Sequence, residues 1–127
     1  AVAALPGVAG ERRVLHVSSG AARKPYSGWS VYCATKAALD HHARAVQADG
    51  RAGLRICSAA PGVVDTDMQA AVRACTLEQF PLRDQFAAMQ QAGGLIAPAA
   101  AAARLVAYLL GDDFGALPTM DLRDLPG

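Results

Sequence analysis

Two short apolar runs flank a stretch of helix-forming residues in the first half of the chain. Residues 13–20 begin with β-branched and other apolar side chains and stop at small polar ones, which predicts a buried strand that ends at Ser18 or Ser19. Residues 30–49 predict a helix, and residues 54–62 predict a second strand closed by Pro-Gly. A strand, a helix and a strand at this spacing predict one right-handed crossover unit of a parallel sheet.

Local signals place the ends of these elements and continue the pattern. Ser30 is the predicted N-cap of the helix and Gly50 its stop. Residues 69–94 are helical in composition but broken by a proline, residues 98–110 predict a helix with proline in its first turn, and residues 116–122 predict a last short strand. The pattern as a whole predicts an α/β fold.

Three polar side chains lie where such a fold would bring them together. Tyr32 and Lys36 are four residues apart, which places them on one face of a helix, and Ser19 precedes the tyrosine by thirteen residues. A free phenol titrates near pH 10, and a fixed positive charge nearby favours the phenolate. A phenol, an ammonium group and a hydroxyl together can protonate or deprotonate the oxygen of a carbonyl or an alcohol.

The spacing alone leaves a plainer interpretation open. With three tyrosines and two lysines in 127 residues, a tyrosine four residues before a lysine arises by chance roughly 5% of the time. Tyr32 and Lys36 could then be a half-buried tyrosine and a surface lysine that share a helix face. The elements around the pair favour the functional interpretation, because ligands bind parallel sheets at the carboxyl ends of the strands.

Composition narrows the class of protein. A hydrophobic fraction of 53% and a charged fraction of 18% exclude a disordered chain, and 127 residues allow one core. A net charge of +1 without a basic cluster gives no support for nucleic acid or a membrane as a partner. Three separated cysteines and three histidines show no metal-ligand spacing, so we expect no metal site and a cytoplasmic protein with reduced thiols. His16, His41 and His42 are interpreted as core or surface residues.

Three motifs in register resemble the catalytic half of a short-chain dehydrogenase/reductase: Ser18-Ser19-Gly20, Tyr32-Cys33-Ala34-Thr35-Lys36 and Pro61-Gly62-Val63-Val64-Asp65-Thr66-Asp67-Met68. Their details look most similar to the sepiapterin reductase and benzil reductase branch. The resemblance implies a Rossmann-like fold in which Ser19 orients the substrate oxygen, Tyr32 is the acid/base and Lys36 supports the tyrosine. It implies that the nicotinamide cofactor contacts Tyr32, Lys36, Pro61, Gly62, Val64 and Thr66, and that the substrate contacts Ser19, Tyr26, Trp29 and Met68.

The chain also departs from the family pattern. None of its twelve glycines forms Gly-x-x-x-Gly-x-Gly, it contains no asparagine, and it begins with Ala1. We therefore expect residues 1–127 to be one partial domain, namely the C-terminal half of a doubly wound Rossmann-like parallel sheet with flanking helices, whose N-terminal half is missing.

The resemblance implies a function for the intact enzyme. We expect transfer of hydride between NADP (or NAD) and a small carbonyl or alcohol substrate, with residues 65–95 as a flap over the substrate and a homo-oligomer as the full-length form. The alternative is a non-catalytic remnant or interaction module of a truncated reductase gene, with an exposed apolar edge on its first strand.

Overall fold

The computed structural model describes residues 10–125. Three strands and four helices follow one another along this part of the chain: β1 (Arg12–Val17), α1 (Ser30–Ala48), β2 (Leu54–Ala60), α2 (Asp67–Ala74), α3 (Arg83–Gln91), α4 (Pro98–Leu110) and β3 (Thr119–Asp121). Short 3₁₀ turns follow β1 at Gly20–Ala22 and β3 at Leu122–Asp124.

The three strands form one parallel sheet in the order β1-β2-β3. Arg12 lies opposite Leu54 at the start of the first pair, and Ser58 lies opposite Thr119 at the start of the second. All three strands therefore end at the same edge of the sheet, where the loops that carry the polar motifs begin. The predicted strand, helix and strand of a parallel crossover unit are confirmed, as is the α/β Rossmann-like fold class.

Successive side chains of each strand point to opposite faces of the sheet, and helices cover both of these faces. On one face, buried Ser58 of β2 bonds to a side chain of α1. On the other face, Cys57 and Ala59 are buried together with Tyr108 of α4, Phe114 and Leu122. A second apolar cluster lies beyond the sheet edge and consists of Val72, Phe80 and Phe86, with the half-buried Tyr26 and Trp29 packed against it.

Two boundaries differ from the sequence prediction. Trp29, not Ser30, is the N-cap of α1, and no side chain caps this end; the first helical residue is Ser30, so its prediction as N-cap is wrong. The last strand is shorter than predicted, because residues 111–118 form turns and the side chain of Asp121 accepts a hydrogen bond from the Arg123 amide, which starts a 3₁₀ turn.

The segment predicted to be a flap consists of α2, α3 and the turns around them, and its two ends are joined. Val64 and Ile96 form a parallel β-bridge. The Ile96 amide donates to the Val63 carbonyl (2.8 Å), and the Asp65 amide donates to the Ile96 carbonyl (2.9 Å). Residues 65–95 therefore leave the sheet edge and return to it at a single point. Among residues 10–125, no helix has the length and apolarity that crossing a membrane requires.

Candidate active site

A cavity of about 360 Å³ lies at the carboxyl edge of the sheet, between the strand ends, the start of α1 and the segment 65–95. It is lined by every residue that the sequence analysis assigned to substrate or cofactor: Ser19, Tyr26, Trp29, Tyr32, Lys36, Pro61, Gly62, Val64, Thr66 and Met68. The structure thus brings together residues that are up to 49 positions apart in the chain, from Ser19 to Met68.

Tyr32 and Lys36 share one face of the first turns of α1. The Lys36 ammonium nitrogen lies 5.6 Å from the centroid of the Tyr32 ring. It also donates to the Val17 carbonyl at the end of β1 (2.9 Å), which ties the helix to the strand. An ammonium group carries three N–H donors, so two remain for other partners.

Ser19 follows β1 directly and caps the 3₁₀ turn after it. Its Oγ accepts a hydrogen bond from the Ala21 amide (3.2 Å), in an extended backbone conformation that aims the hydroxyl at the turn. A hydroxyl that accepts in this way still has its own proton to donate. Ser19 can therefore act as a hydrogen-bond donor to an oxygen in the cavity.

The Pro61-Gly62 turn forms the opposite wall. Gly62 has a φ of +91°, a backbone conformation that favours glycine, and a Cβ built on it would lie 2.8 Å from Cδ1 at the end of the Ile96 side chain. Beyond it, Thr66 is the N-cap of α2 and Asp67 lies in the first turn of this helix, where a carboxylate is favourable.

An aromatic wall closes the cavity on the side of the segment 65–95. The Trp29 ring centroid lies 4.9 Å from those of Tyr32 and Phe80, 5.4 Å from that of Phe86 and 5.9 Å from that of Tyr26. Such tilted pairs are favourable beyond the area they bury. Tyr26, Trp29 and Phe86 of this cluster line the cavity, so its wall on this side is aromatic.

Sequence reasoning missed a buried carboxylate behind the site. Asp40 of α1 is 1% exposed and accepts hydrogen bonds from Ser18 Oγ (2.6 Å), Ser58 Oγ (2.8 Å) and Arg23 Nε (3.0 Å). A signal was present, because Asp40 follows Lys36 by four residues and so lies on the same helix face. Lys36 and Asp40 hold Val17 and Ser18, the two residues that precede Ser19.

Two further lining residues carried no such signal. Gln69 is 3% exposed, and within the described part of the chain its Oε1 has no hydrogen-bonding partner. Arg123 lines the cavity next to the last 3₁₀ turn and forms a two-point ion pair with Asp121 (2.9 and 2.6 Å). These hydrogen bonds lower the pKa of the Asp121 carboxyl below its ordinary value. Only the folded chain brings this C-terminal pair to the cavity.

The histidines lie outside the cavity. His16 is half-buried, and its Nε2 lies 3.0 Å from Nδ1 of the exposed His42. Burial, and then the neighbouring His42, lower the pKa of His16 below 6.5, while Asp40 acts in the opposite direction. Cys33, Cys57 and Cys75 are free thiols. Within residues 10–125, no three His, Cys, Asp or Glu side chains are grouped so that they could hold a metal ion.

Comparison with known proteins agrees with this geometry. A model of the short chain dehydrogenase family matches residues 3–76. The chain is 40% identical to a benzil reductase ((S)-benzoin forming) of Bacillus cereus over 91 residues, which cover 69% of this chain and 36% of that protein. It is 34% identical to the sepiapterin reductase of Mus musculus over 119 residues, covering 94% of this chain and 44% of that protein.

Solved structures show the same relationship. The KRED1-Pglu enzyme superposes with a TM-score of 0.70 at 32% identity, over 85% of this chain and 46% of that one. A short-chain dehydrogenase/reductase of Saccharomyces cerevisiae superposes with a TM-score of 0.69 at 29% identity, over 88% and 46%. The chain thus spans less than half the length of these relatives, and over that length it belongs to the short-chain dehydrogenase/reductase family.

Proposed function

We propose that the chain carries the catalytic part of an NAD(P)-dependent oxidoreductase that transfers hydride between nicotinamide and a carbonyl or alcohol carbon, with Tyr32 as the acid/base. One observation carries this proposal, namely that Ser19, Tyr32 and Lys36 line one cavity together with the Pro61-Gly62 turn. Membership in a family whose curated relatives include reductases supports the reaction class.

In the reductive direction, the substrate oxygen accepts a hydrogen bond from Ser19 Oγ and a proton from the Tyr32 phenol. The Ala21 amide, which donates to Ser19 Oγ, orients this hydroxyl so that its proton is available to the substrate. Lys36 stabilises the phenolate that remains, because its ammonium group lies over the same ring. In the oxidative direction, the phenolate removes the proton from the alcohol.

The residues at this edge fit the nicotinamide and ribose end of a dinucleotide. Lys36 has two N–H donors beyond its bond to Val17, and the tight Gly62 turn and Thr66 form the facing wall. A bound nicotinamide would supply or accept the hydride. We propose NADP as the cofactor, with NAD as the alternative, because the resemblance to the sepiapterin and benzil reductase branch points that way.

We propose a ketone, a diketone or a pterin-like carbonyl compound as the substrate. The aromatic wall of Tyr26, Trp29 and Phe86 suits a flat ring, and relatives are named for benzil and sepiapterin. We also propose a cytoplasmic homo-oligomer. The location is supported by the cysteines, which are free thiols that the cytosol preserves. The homo-oligomer is supported by Val31, which is 75% exposed on α1, the helix that the resemblance assigns to subunit contacts.

The test is Tyr32→Phe in the product of the complete reading frame that contains this sequence. We expect kcat to fall by about 10²–10⁴-fold, because the phenyl ring keeps its packing contacts but lacks the hydroxyl that gives up and accepts the proton. Tyr108→Phe is the matched control, since its hydroxyl donates to buried Cys57 (3.5 Å) on the far face of the sheet. Near-normal turnover by Tyr32→Phe contradicts the proposed acid/base.

The 127-residue chain itself separates the enzyme from the non-catalytic interaction module. Titration with NADPH, followed by nicotinamide fluorescence and by size-exclusion chromatography, gives two readouts. Saturable binding supports a working nicotinamide site in this chain. Absence of binding together with soluble aggregates supports the interaction module, since within residues 10–125 strand β1 pairs with β2 on one side only.

A further inference from the structure

Trp29 contacts the proposed acid/base directly. As the N-cap of α1 it precedes Tyr32 by one helical turn, and its carbonyl accepts the Cys33 amide (2.8 Å). The two ring centroids are 4.9 Å apart with an interplanar angle of 54°. The Tyr32 ring is therefore a neighbour of both the Trp29 indole and the Lys36 ammonium group.

The same indole is the contact surface for the segment 65–95. Phe80, in the turn between α2 and α3, is 3% exposed, and Phe86 of α3 is 7% exposed. Their ring centroids lie 4.9 and 5.4 Å from that of Trp29. Phe80 is not among the residues that line the cavity. It therefore packs against Trp29 without contacting a substrate in the cavity.

The loop before α1 is shaped to permit this contact. Gly28 has a φ of +85°, and a Cβ built on it would lie 2.9 Å from Cδ2 of Phe80. A side chain at position 28 would collide with the Phe80 ring and force it to shift from its present position. The segment 65–95 is thus held both at its joined ends, Val64 and Ile96, and by its aromatic contact with Trp29.

We propose that Trp29 is a positioning residue that transmits the packing of the segment 65–95 to the Tyr32 ring, holding the phenol beside Lys36 when the segment is packed. The role of Tyr32 in this inference rests on the proposed function. The physical reason is that one rigid indole touches the Phe80 and Phe86 rings on one side and the phenol ring on the other. Displacement of either phenylalanine must therefore change the surface against which Tyr32 rests.

The decisive variant is Phe80→Leu, which removes the ring behind Trp29 at a position that does not itself line the cavity. Phe114→Leu is the matched control, because Phe114 is also buried (1% exposed) but packs against Tyr108 in the other core. Trp29 is the only tryptophan of the chain, so its fluorescence reports this contact in the 127-residue protein. We expect Phe80→Leu to shift the emission to the red and raise quenching by acrylamide, and Phe114→Leu to leave both unchanged.

The kinetic arm uses the product of the complete reading frame. We expect Phe80→Leu to lower kcat about tenfold with KM within about twofold, since misplacement of a catalytic group lowers turnover more than binding. Phe114→Leu keeps its kcat. Equal kcat values for Phe80→Leu and the unaltered protein, or equal losses in both phenylalanine variants, overturn the proposal.

If Phe80→Leu fails to fold, a pair of variants at position 29 decides the question. Trp29→Phe keeps a ring against Tyr32 and retains most of kcat, whereas Trp29→Leu loses it. A rise in KM with an unchanged kcat in Trp29→Leu overturns the positioning role and leaves Trp29 with substrate contact alone. The two proposals fail separately, because an active Tyr32→Phe refutes the acid/base assignment whatever the emission of Phe80→Leu shows.

Discussion

Replacing Asp40 by alanine is expected to destabilise the fold by about 3–5 kcal/mol, the usual cost of breaking a buried ion pair. The carboxylate is 1% exposed and accepts three hydrogen bonds at 2.6–3.0 Å. Its removal leaves two buried serine hydroxyls without an acceptor, at about 1–3 kcal/mol each. The Arg23 guanidinium is 32% exposed and can turn to water, so it adds less. The total free energy of unfolding of a small domain is about 5–15 kcal/mol, so the expected loss is a large part of it.

Asparagine at position 40 separates the two parts of this effect. Asp40→Asn keeps one oxygen for Ser18 and Ser58 and places an NH₂ group against Arg23 Nε, which is also a donor. We therefore expect a smaller loss than for alanine, about 1–3 kcal/mol.

Urea unfolding followed by circular dichroism at pH 7 measures both losses. Asp84→Ala is the control, because Asp84 also pairs with an arginine (Arg83, 2.8 Å) but its side chain is 65% exposed, and such surface pairs contribute at most about 1 kcal/mol. A loss below about 1 kcal/mol in Asp40→Ala, or equal losses at positions 40 and 84, would refute the idea that the buried network holds the strand ends.

Two further predictions concern pH and backbone conformation. Burial and the neighbouring His42 lower the pKa of His16 in the folded protein, so below pH 6.5 the unfolded chain binds more protons than the folded one. The free energy of unfolding should therefore be constant above pH 6.5. Below pH 6.5 it should fall by up to about 1.4 kcal/mol per pH unit. Urea midpoints between pH 8 and 5 test this, and an equally steep fall in His16→Gln contradicts it. Gly28→Ala should destabilise more than Gly50→Ala by about 1–3 kcal/mol in thermal unfolding, because both have positive φ but only Gly28 faces Phe80 at 2.9 Å; equal losses mean that the phenylalanine yields freely.

Local sequence predicted the part of the fold that local forces determine. The apolar run before Ser18 and the helix formers after Ser30 gave β1 and α1 nearly to the residue, and the three motifs predicted residues that meet at one cavity. The prediction that Ser30 is the N-cap of α1 was wrong. Trp29 packs against Phe80 and Phe86, and this tertiary contact places an indole where a capping side chain would otherwise lie.

The buried polar groups were beyond reach for the same physical reason. A carboxylate in the middle of a helix is ordinarily solvated. Burial of Asp40 is possible because Ser18, Ser58 and Arg23 of other elements donate hydrogen bonds to it and offset the cost of its desolvation. Arg123 is separated from the Tyr32 motif by most of the chain. It lies at the cavity because β3 pairs with β2 and so brings the C-terminal turn to the same edge of the sheet.

The bridge between Val64 and Ile96 makes the length of the segment 65–95 independent of the sheet edge to which it is joined. Because the segment 65–95 starts and ends at one point, its length can change at small entropic cost, since closing a longer loop costs only about 0.6 kcal/mol per doubling. The sheet and the first turn of α1 need not adjust. Under the proposed function, exchange of this segment between relatives is a direct route to new substrates, provided that each new segment brings an aromatic side chain to Trp29.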